Sequence, residues 1–427
     1  MTTIVAPATA MVSQPIGIIR LSGPLSLQII KKITKQKRIK VRHAHFVTVY
    51  DKEILDHAVV LYFKAPYSFT GEDVVEIQMH GNPYLMENVI KLCIGLGAEM
   101  AQPGAFSHRA FLNGKMKLDQ VEAVADIIHA GSLRAAKSAA SSLEGTLGTK
   151  VSELQAELMA LRVLVEASID FSEEDIPVIS QAACNARLAL LHSRLQALLQ
   201  TAKTGASLQK GIQVALVGAP NVGKSTLMNA ICKKQVSIVT SEAGTTRDVL
   251  SQEVIHKGVH LTFFDTAGVR STSSIAEKIG IEKAHEFATK ADLVLLMGDH
   301  QTRPLSLEGL ETPSWVVYNK KDLFPDAVED ALFISARHGD GVDELLDKIL
   351  EYFKLAEHVE APFSARTRQV DVLKRANQLL QETQGIVDAE IVAHNLWDVQ
   401  QVLSEITGEV STDDVLGELF SDFCIGK

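Results

Sequence analysis

The chain has 427 residues, of which 46% are apolar and 22% charged, and its formal net charge is −10 at pH 7. This composition is typical of a globular protein and excludes a disordered chain, while the length predicts roughly two to four domains. No apolar run approaches the ~20 residues of a membrane span, the N-terminus lacks a secretory pattern, and the four cysteines lack paired spacing, so we expect a cytoplasmic protein without disulfides or a zinc site.

The N-terminal region, residues 1–117, contains short β-type runs separated by Gly/Pro turns, which predicts an α+β domain. The strand-like runs are residues 17–21, 46–50, 58–63 and 74–79, and residues 83–96 have a helical pattern. Seven Lys or Arg residues lie within residues 31–42. We interpret this basic segment as a solvated surface; RNA binding by so acidic a chain would require a local basic patch.

Residues 118–210 are rich in Ala, Leu, Glu and Gln, and their leucines repeat at three- and four-residue spacing, which predicts packed helices. Residues 211–355 alternate buried-strand and helix patterns, which indicates an α/β domain with a mostly parallel sheet. The helical pattern returns over residues 356–427. The predicted architecture is therefore a helical bundle domain interrupted by a complete α/β domain, whose termini must lie close together.

A phosphate-binding loop follows the first strand of the α/β region. Residues 218–226 read G-A-P-N-V-G-K-S-T and match G-x-x-x-x-G-K-[ST] between a strand and a helix. In this motif backbone N–H groups face the phosphates, Lys224 supplies a charge at the β and γ phosphates, and the Ser225 hydroxyl can bind Mg²⁺.

Further motifs follow at the ends of later strands. Residues 265–268 read D-T-A-G, residues 319–322 read N-K-K-D, and residues 335–337 read S-A-R, while T-T-R-D at residues 245–248 precedes them. The Asp322 carboxylate can accept both N–H groups of the guanine edge, which adenine does not offer. The set predicts a P-loop GTPase. Val269, after D-T-A-G, cannot polarise water, so another group must position the attacking water.

Over essentially its full length the chain resembles the MnmE (TrmE) family of tRNA modification GTPases. The matching segments are residues 69–76, 103–106, 109–115, 238–240, 243–248 and 423–427. The resemblance implies an N-terminal folate-binding-like domain beside the helical and GTPase domains. It also implies that Mg²⁺ is bound by Ser225 and Thr246. The residues assigned to GTP are Asn221, Val222, Gly223, Lys224, Ser225, Thr226, Thr240, Thr245, Thr246, Asp265, Thr266, Ala267, Gly268, Asn319, Lys320, Asp322, Ser335 and Ala336.

The resemblance implies that K⁺ activates hydrolysis and replaces the charge of an arginine finger. The ligands assigned to K⁺ are Asn221, Thr240, Glu242 and Thr245. Glu277, in the segment before I-G-I-E, corresponds to the carboxylate with which the family orients water, and it would act with Lys224 in catalysis.

The resemblance also implies a homodimer that works with a flavoprotein partner similar to MnmG, in a heterotetramer, on the wobble uridine of certain tRNAs. The product carries an aminomethyl-type group at C5, with a tetrahydrofolate derivative as one-carbon donor. The residues assigned to folate are Arg20, Glu76, Lys115 and Lys427. Cys424 is the candidate reactive thiol, with a buried structural cysteine as the alternative.

Two alternatives remain open. The first is a GTP-switched RNA-binding factor of ribosome assembly without modification chemistry, which would need neither the N-terminal domain nor the C-terminal C-I-G-K. The second is an N-terminal domain that serves only in dimerisation. Folate binding distinguishes both from the enzyme.

Overall fold

A computed structural model of the chain describes residues 2–170, 179–234, 250–265, 288–305, 309–323, 331–356, 361–408 and 426. The chain folds into two compact units. The first comprises Met1–Ala125 and Gln401–Lys427, and the second comprises Asp126–Gln400. The predicted domain boundaries after residues 117, 210 and 355 stay predictions.

The first unit contains a six-stranded sheet with the order β3-β4-β5-β2-β1-β6. β1 and β6 pair in parallel, and the other neighbours are antiparallel. The strands are β1 Thr3–Pro7, β2 Gln14–Ser22, β3 His45–Tyr50, β4 Ile54–Phe63, β5 Val74–Gly81 and β6 Ala98–Met100. The helices are α1 Ser26–Thr34, α2 Pro83–Gly95, α3 Ala105–Leu112 and α4 Leu118–His129, which continues into the second unit.

Helices α1 and α2 pack on one face of this sheet. Successive residues of a strand point to opposite faces, so every second residue is buried against the helices. In β3, Val47 and Val49 are buried against the helices, whereas Thr48 lies on the opposite face. Helix α2 begins where the Asn82 side chain accepts hydrogen bonds from two backbone amides, with Pro83 at the first helical position.

The second unit contains the long helices predicted from the leucine spacing. They are α5 Leu133–Leu143, α6 Thr146–Asp170 and α7 Gln181–Lys210. The predicted stripe on α6 is buried from Val151 to Val165. Later in the chain come α9 Val342–Tyr352, α10 Thr367–Thr383 and α11 Ala389–Thr407, which continues into the first unit. Because α10 packs against α7, helices from both sides of the α/β region form one bundle, as an insertion requires.

The α/β region forms a second six-stranded sheet, with the order β12-β11-β10-β7-β9-β8. β8 is the antiparallel edge strand, and the other neighbours are parallel. The elements are β7 Ile212–Gly218, α8 Lys224–Lys234, β8 Leu250–His256, β9 Val259–Asp265, β10 Leu293–Gly298, β11 Ser314–Tyr318 and β12 Leu332–Phe333. β7 lies between β9 and β10, so the strand order reverses at its carboxyl end, where open α/β sheets bind ligands.

The predicted fold class, a multidomain protein with α+β, helical and P-loop α/β parts, is confirmed. The strands β1, β6 and β8 were not predicted, because β1 and β6 are short and β8 mixes polar with apolar residues. The pattern of the α/β region also predicts a helix over residues 277–289, most of which lies outside the described residues. In the ranges that the structure describes, no helix has both the length and the apolar content needed to cross a membrane.

Candidate functional site

The phosphate loop connects β7 to α8 and has the backbone shape that its sequence predicts. Asn221 and Gly223 have positive φ values of 67° and 98°. A Cβ built on Gly223 would lie 2.1 Å from Nδ2 of Asn319, so no larger residue fits there without a shift. The Asn221 side chain is exposed, and Val222 beside it is fully buried.

Lys224 occupies the first turn of α8 and is only 4% exposed. Its Nζ donates to the carbonyl oxygens of Gly218 at 2.6 Å and Ala219 at 3.0 Å, both in the phosphate loop. Burial lowers the pKa of Lys224, and the nearby Asp265 carboxylate opposes that effect. The ammonium is therefore held at the loop where a phosphate would bind.

Two oxygen groups suited to a hard cation meet beside this loop. The Ser225 hydroxyl, on α8, donates to Oδ2 of Asp265 at 3.1 Å, at the end of β9. Mg²⁺ prefers oxygen ligands and commonly uses one or two protein groups beside substrate phosphates. Ser225 and Asp265 fit that requirement, and Thr226 lies exposed next to them.

Asn319 connects the guanine motif to the phosphate loop. Its Nδ2 donates to the carbonyl of Val222 at 2.9 Å, and its Oδ1 accepts from the backbone amides of Lys320 at 2.8 Å and Ala336 at 2.9 Å. The side chain is 3% exposed, so these contacts are buried. The motif at the end of β11 predicts that Asn319 binds the base, but its contacts with Val222 and Ala336 were not predicted.

The carboxylate predicted to bind the base is held in place by a neighbouring motif. Ser335 donates to Oδ1 of the exposed Asp322 at 2.9 Å, and this hydrogen bond lowers the pKa of Asp322. The carboxylate is thus ionised at neutral pH and free to accept from a ligand. Ser335 and Ala336, from the last motif, therefore lie at the same edge as Asn319.

Lys320 has its own partner, which the motifs did not predict. Its Nζ lies 2.5 Å from Oδ2 of Asp299, a residue that follows β10. Burial acts to raise the pKa of Asp299, but the hydrogen bond from Lys320 and those from the amides of Gln301 and Thr302 lower it to about 2. Asp299 is therefore an ionised anchor for Lys320.

Several predicted residues lie outside the described residues, and their roles stay predictions. They are Thr240, Glu242, Thr245, Thr246, Thr266, Ala267, Gly268, Glu277, Cys424 and Lys427. Among the residues that are described, no group of three or more His, Cys, Asp or Glu side chains is arranged to hold a metal ion.

A second candidate site lies in the first unit. Arg20 on β2 donates from Nε and from a terminal nitrogen to Oε1 of Glu76 on β5, at 3.0 and 2.8 Å. The guanidinium also lies 5.9 Å from the ring centre of Phe69 and 5.8 Å from that of Phe106. The two charged side chains stay about one fifth exposed, at 21% and 18%, and so remain accessible to a ligand.

The C-terminal motif reaches this second site. Arg20 donates to the carbonyl oxygen of Gly426 at 3.3 Å. Gly426 has a φ of +95°, and a Cβ there would lie 2.0 Å from the carbonyl oxygen of Pro7, at the end of β1. The glycine of the C-I-G-K motif is therefore packed where no side chain fits.

A second ion pair, missed by sequence reasoning, borders Arg20 and Glu76. Arg109 donates to Oε2 of Glu72 at 2.7 Å, and the Ser22 hydroxyl donates to the same oxygen at 2.8 Å. Both charged residues belong to segments that resemble the family, residues 69–76 and 109–115, and this resemblance is the sequence signal that could have indicated them. Lys115 is exposed, and its aliphatic stem lies beside Gly71, next to Glu72.

Family models match most of the chain, and curated relatives match all of it. The model "GTP-binding protein TrmE N-terminus" matches residues 3–115, and "MnmE helical domain" matches residues 118–424. The tRNA modification GTPase MnmE of Francisella tularensis subsp. holarctica is 43% identical over 100% of this chain and 99% of its own length. The protein of the same name from Chromobacterium violaceum is 43% identical over 100% of this chain and 98% of its length.

Two solved structures of other proteins resemble part of the chain. The structure of Aquifex aeolicus Era bound to GDP and aluminium fluoride is 25% identical over 42% of this chain and 69% of its own, with a TM-score of 0.28. The G domain of the T. maritima FeoB iron transporter is 30% identical over 33% of this chain and 98% of its own, with a TM-score of 0.26.

Proposed function

This chain belongs to the MnmE family of tRNA modification GTPases, and on that premise we propose that it is a potassium-activated GTPase that modifies wobble uridines with folate and a flavoprotein. Its activity as a tRNA modification GTPase follows from the family. The observation that carries the potassium proposal is Asn221, which presents an exposed amide from a left-handed position of the phosphate loop.

Phosphate binding falls to residues that are already clustered. The loop amides and Lys224, whose ammonium is buried at the loop, would hold the β and γ phosphates. Ser225, beside Asp265, and the predicted ligand Thr246 would hold Mg²⁺, which when bound neutralises phosphate charge. Asp322, positioned by Ser335, would accept the guanine N–H groups.

Asn221 and several predicted residues would supply the two things that hydrolysis at the γ phosphate needs: a positive charge and an oriented water. The Asn221 amide oxygen, with Thr240, Glu242 and Thr245, would bind K⁺, which would supply the positive charge expected of an arginine finger. Glu277 would orient the attacking water, because the Val269 side chain has no polar group that could accept a proton from that water or orient it.

GTP turnover in KCl and in NaCl at matched ionic strength tests the potassium proposal. We expect turnover to be about tenfold or more faster in KCl, the scale on which one well-placed charge acts in a transition state. Asn221→Gly removes the amide oxygen but tolerates the positive φ, so it should abolish the difference between the salts. Asn221→Asp keeps both the oxygen and the backbone preference, and it should retain the difference.

The salt comparison has a clear contrary outcome. If the unaltered protein turned over GTP equally fast in both salts, potassium activation would be wrong. If Asn221→Gly kept the full stimulation, the cation would have to bind elsewhere. GDP affinity of each variant, measured by calorimetry, serves as the control that the phosphate loop is intact.

Folate binding is proposed for the site around Arg20. The pair Arg20 and Glu76 offers a cation and a carboxylate beside two aromatic rings, which suits a flat, hydrogen-bonding pterin ring. Lys115 and Lys427 would meet the carboxylates of the glutamyl tail. Cys424 would supply the reactive thiol, and it acts as a nucleophile only as a thiolate.

Calorimetry with 5-formyltetrahydrofolate and the full chain tests this assignment. Glu76→Gln should weaken binding about tenfold or more, because one charged hydrogen-bond partner is lost. Glu87→Gln, on the exposed face of α2, is the matched control and should leave the affinity unchanged. Equal affinity in Glu76→Gln and the unaltered protein would contradict the site.

The proposed assembly is a cytoplasmic homodimer that joins a flavoprotein similar to MnmG and acts on tRNA. Sedimentation of the purified chain should give a dimer, and adding the flavoprotein of the same cell should give a larger complex. Analysis of wobble nucleosides from cells without this chain should show loss of the C5 aminomethyl-type group. A monomer in every nucleotide state would contradict the dimer.

A further inference from the structure

The basic segment, residues 31–42, is the strongest charged feature that the proposed mechanism leaves unused. Its cations are Lys31, Lys32, Lys35, Lys37, Arg38, Lys40 and Arg42. The first 50 residues contain no Asp or Glu, although the whole chain has a net charge of −10. This separation of charge along the sequence concentrates positive potential at one place.

The structure leaves this charge without internal compensation. Six of the seven cations are exposed, and none forms an ion pair with another residue in the described ranges. Lys35 instead lies with its Nζ 3.9 Å from the ring centre of Tyr50, and a terminal nitrogen of Arg42 donates to the carbonyl of Tyr67 at 3.0 Å. Both contacts leave the charges unneutralised.

Backbone hydrogen bonds anchor the second half of the basic segment to the sheet. The Lys40 amide donates to Nε2 of His45 at 2.9 Å, and the Arg42 amide donates to the carbonyl of Tyr62 at 2.8 Å. Ile39 is 7% exposed and packs in the core between them. An array held in this way loses less conformational entropy on binding than a flexible basic tail does.

The segment also lies at an edge of the first unit. It runs from the last turn of α1 to β3, and β3 is the edge strand of the sheet. The apolar residues of α1, such as Ile29 and Ile33, are buried in the core rather than exposed. A membrane-binding helix would present such residues outward, so α1 lacks the apolar face of such a helix, and the arrangement favours a polyanion that is recognised mainly by charge.

We propose that the basic segment binds the sugar–phosphate backbone of the tRNA substrate. This inference rests on the proposed function, because it names the surface that holds the RNA. Exposed Lys and Arg residues contact phosphates without reading sequence, so the segment sets affinity and orientation rather than the choice of tRNA. The Tyr67 side chain, 71% exposed beside Arg42, offers a ring for stacking at the same surface.

Binding of a fluorescent tRNA transcript, measured by anisotropy from 50 to 300 mM KCl, tests the proposal. The test variant combines Lys32→Gln, Lys37→Gln and Lys40→Gln, all at exposed positions. The control variant combines Lys137→Gln, Lys150→Gln and Lys203→Gln, which are exposed on helices of the second unit and change the net charge equally. A third variant with arginine at positions 32, 37 and 40 keeps the charge.

We expect the test variant to bind tRNA about tenfold or more weakly, and the slope of log affinity against log salt to become shallower by about 2, because three phosphate contacts are lost. The control and arginine variants should behave like the unaltered protein. GTP turnover without RNA should be the same in all four proteins, which also shows that the variants fold.

Three results would overturn the inference. One is an unchanged salt slope in the test variant, and another is an equal loss in the control variant. The third is binding of the unaltered protein to vesicles of phosphatidylserine that depends on the segment while tRNA binding does not. Loss of potassium stimulation would contradict the proposed function instead and would leave these salt slopes unaffected.

Discussion

The side-chain amide of Asn319 donates a hydrogen bond to the carbonyl oxygen of Val222 at 2.9 Å. The two residues belong to the guanine motif and the phosphate loop, 97 positions apart. Because the same side chain also accepts from the amide of Ala336, one buried group supports three parts of the nucleotide site. Its loss should therefore affect every nucleotide, whatever the base.

Asn319→Asp should lower the affinity for GDP, GTP and XTP by a similar factor. The substitution places an oxygen against the Val222 carbonyl and leaves that buried acceptor unsatisfied, at a cost of about 1–3 kcal/mol, or about tenfold in affinity. Calorimetry with each nucleotide measures the effect. Asn229→Asp, at an exposed position of α8, is the control, and an unchanged affinity in Asn319→Asp would show that the contact is dispensable.

Asp322→Asn should change base preference rather than overall affinity. An amide cannot accept both guanine N–H groups, so discrimination between GTP and XTP should fall by about 100-fold or more. Competition binding with the two nucleotides measures this. Ser335→Ala removes the hydrogen bond that positions the carboxylate and should give a smaller loss in the same direction. Full guanine preference in Asp322→Asn would refute the base assignment.

Gly426→Ala should weaken folate binding without affecting GTP turnover. The new Cβ would approach the Pro7 carbonyl to 2.0 Å at a φ of +95°, so the carbonyl of residue 426 could not stay beside Arg20. We expect an affinity about tenfold lower for 5-formyltetrahydrofolate, by calorimetry. Gly385→Ala has the same backbone strain, with a φ of +84°, but meets no atom within 4 Å. It should bind folate normally, and equal loss in both variants would contradict a steric cause.

Asp126→Asn should destabilise the second unit. Oδ1 of Asp126 accepts from two nitrogens of Arg366 at 2.9 Å, and Oδ2 accepts from the Ser364 hydroxyl at 3.1 Å. Removing the charge from a buried carboxylate with these partners should lower the free energy of unfolding by about 1–3 kcal/mol. Urea unfolding of the full chain measures the change.

The exposed pair of Asp371 and Lys374 gives the matched control for that experiment. Both side chains are 53% exposed, so water screens their attraction. Asp371→Asn should therefore change stability by about 0.5 kcal/mol or less. If the two variants lost equal stability, burial would not be the reason for the effect at Asp126.

Asp299→Asn should reduce the loss of stability at low pH. The folded pKa of Asp299 is lowered to about 2, whereas the unfolded value is about 3.9. Its contribution is therefore complete above about pH 4 and is lost as the pH falls toward 2. Urea midpoints between pH 3 and pH 7 should show a smaller decrease for the variant, together with a lower midpoint at pH 7. A parallel decrease in both proteins would contradict this.

The main elements and the phosphate loop could be predicted because their signals are local. Apolar spacing placed α6 and α7, and the phosphate loop had to follow β7, since the motif requires a strand before it and a helix after it. The edge strand β8 was not predicted, because its sequence L-S-Q-E-V-I-H does not alternate regularly between polar and apolar residues. The ion pair of Asp299 with Lys320 was not predicted, because nothing near Asp299 in sequence indicates Lys320 as its partner.

Residue types and their spacing along the chain were enough to specify a guanine-nucleotide site, a helical framework and a basic surface near the N-terminus. Only folding brought Arg20 to Gly426 across 406 positions, and Asp126 to Arg366 across 240. A hydrogen bond requires its two atoms to lie within about 3 Å. Beyond a few residues, separation along the chain does not set that distance; the packing of helices and sheets does.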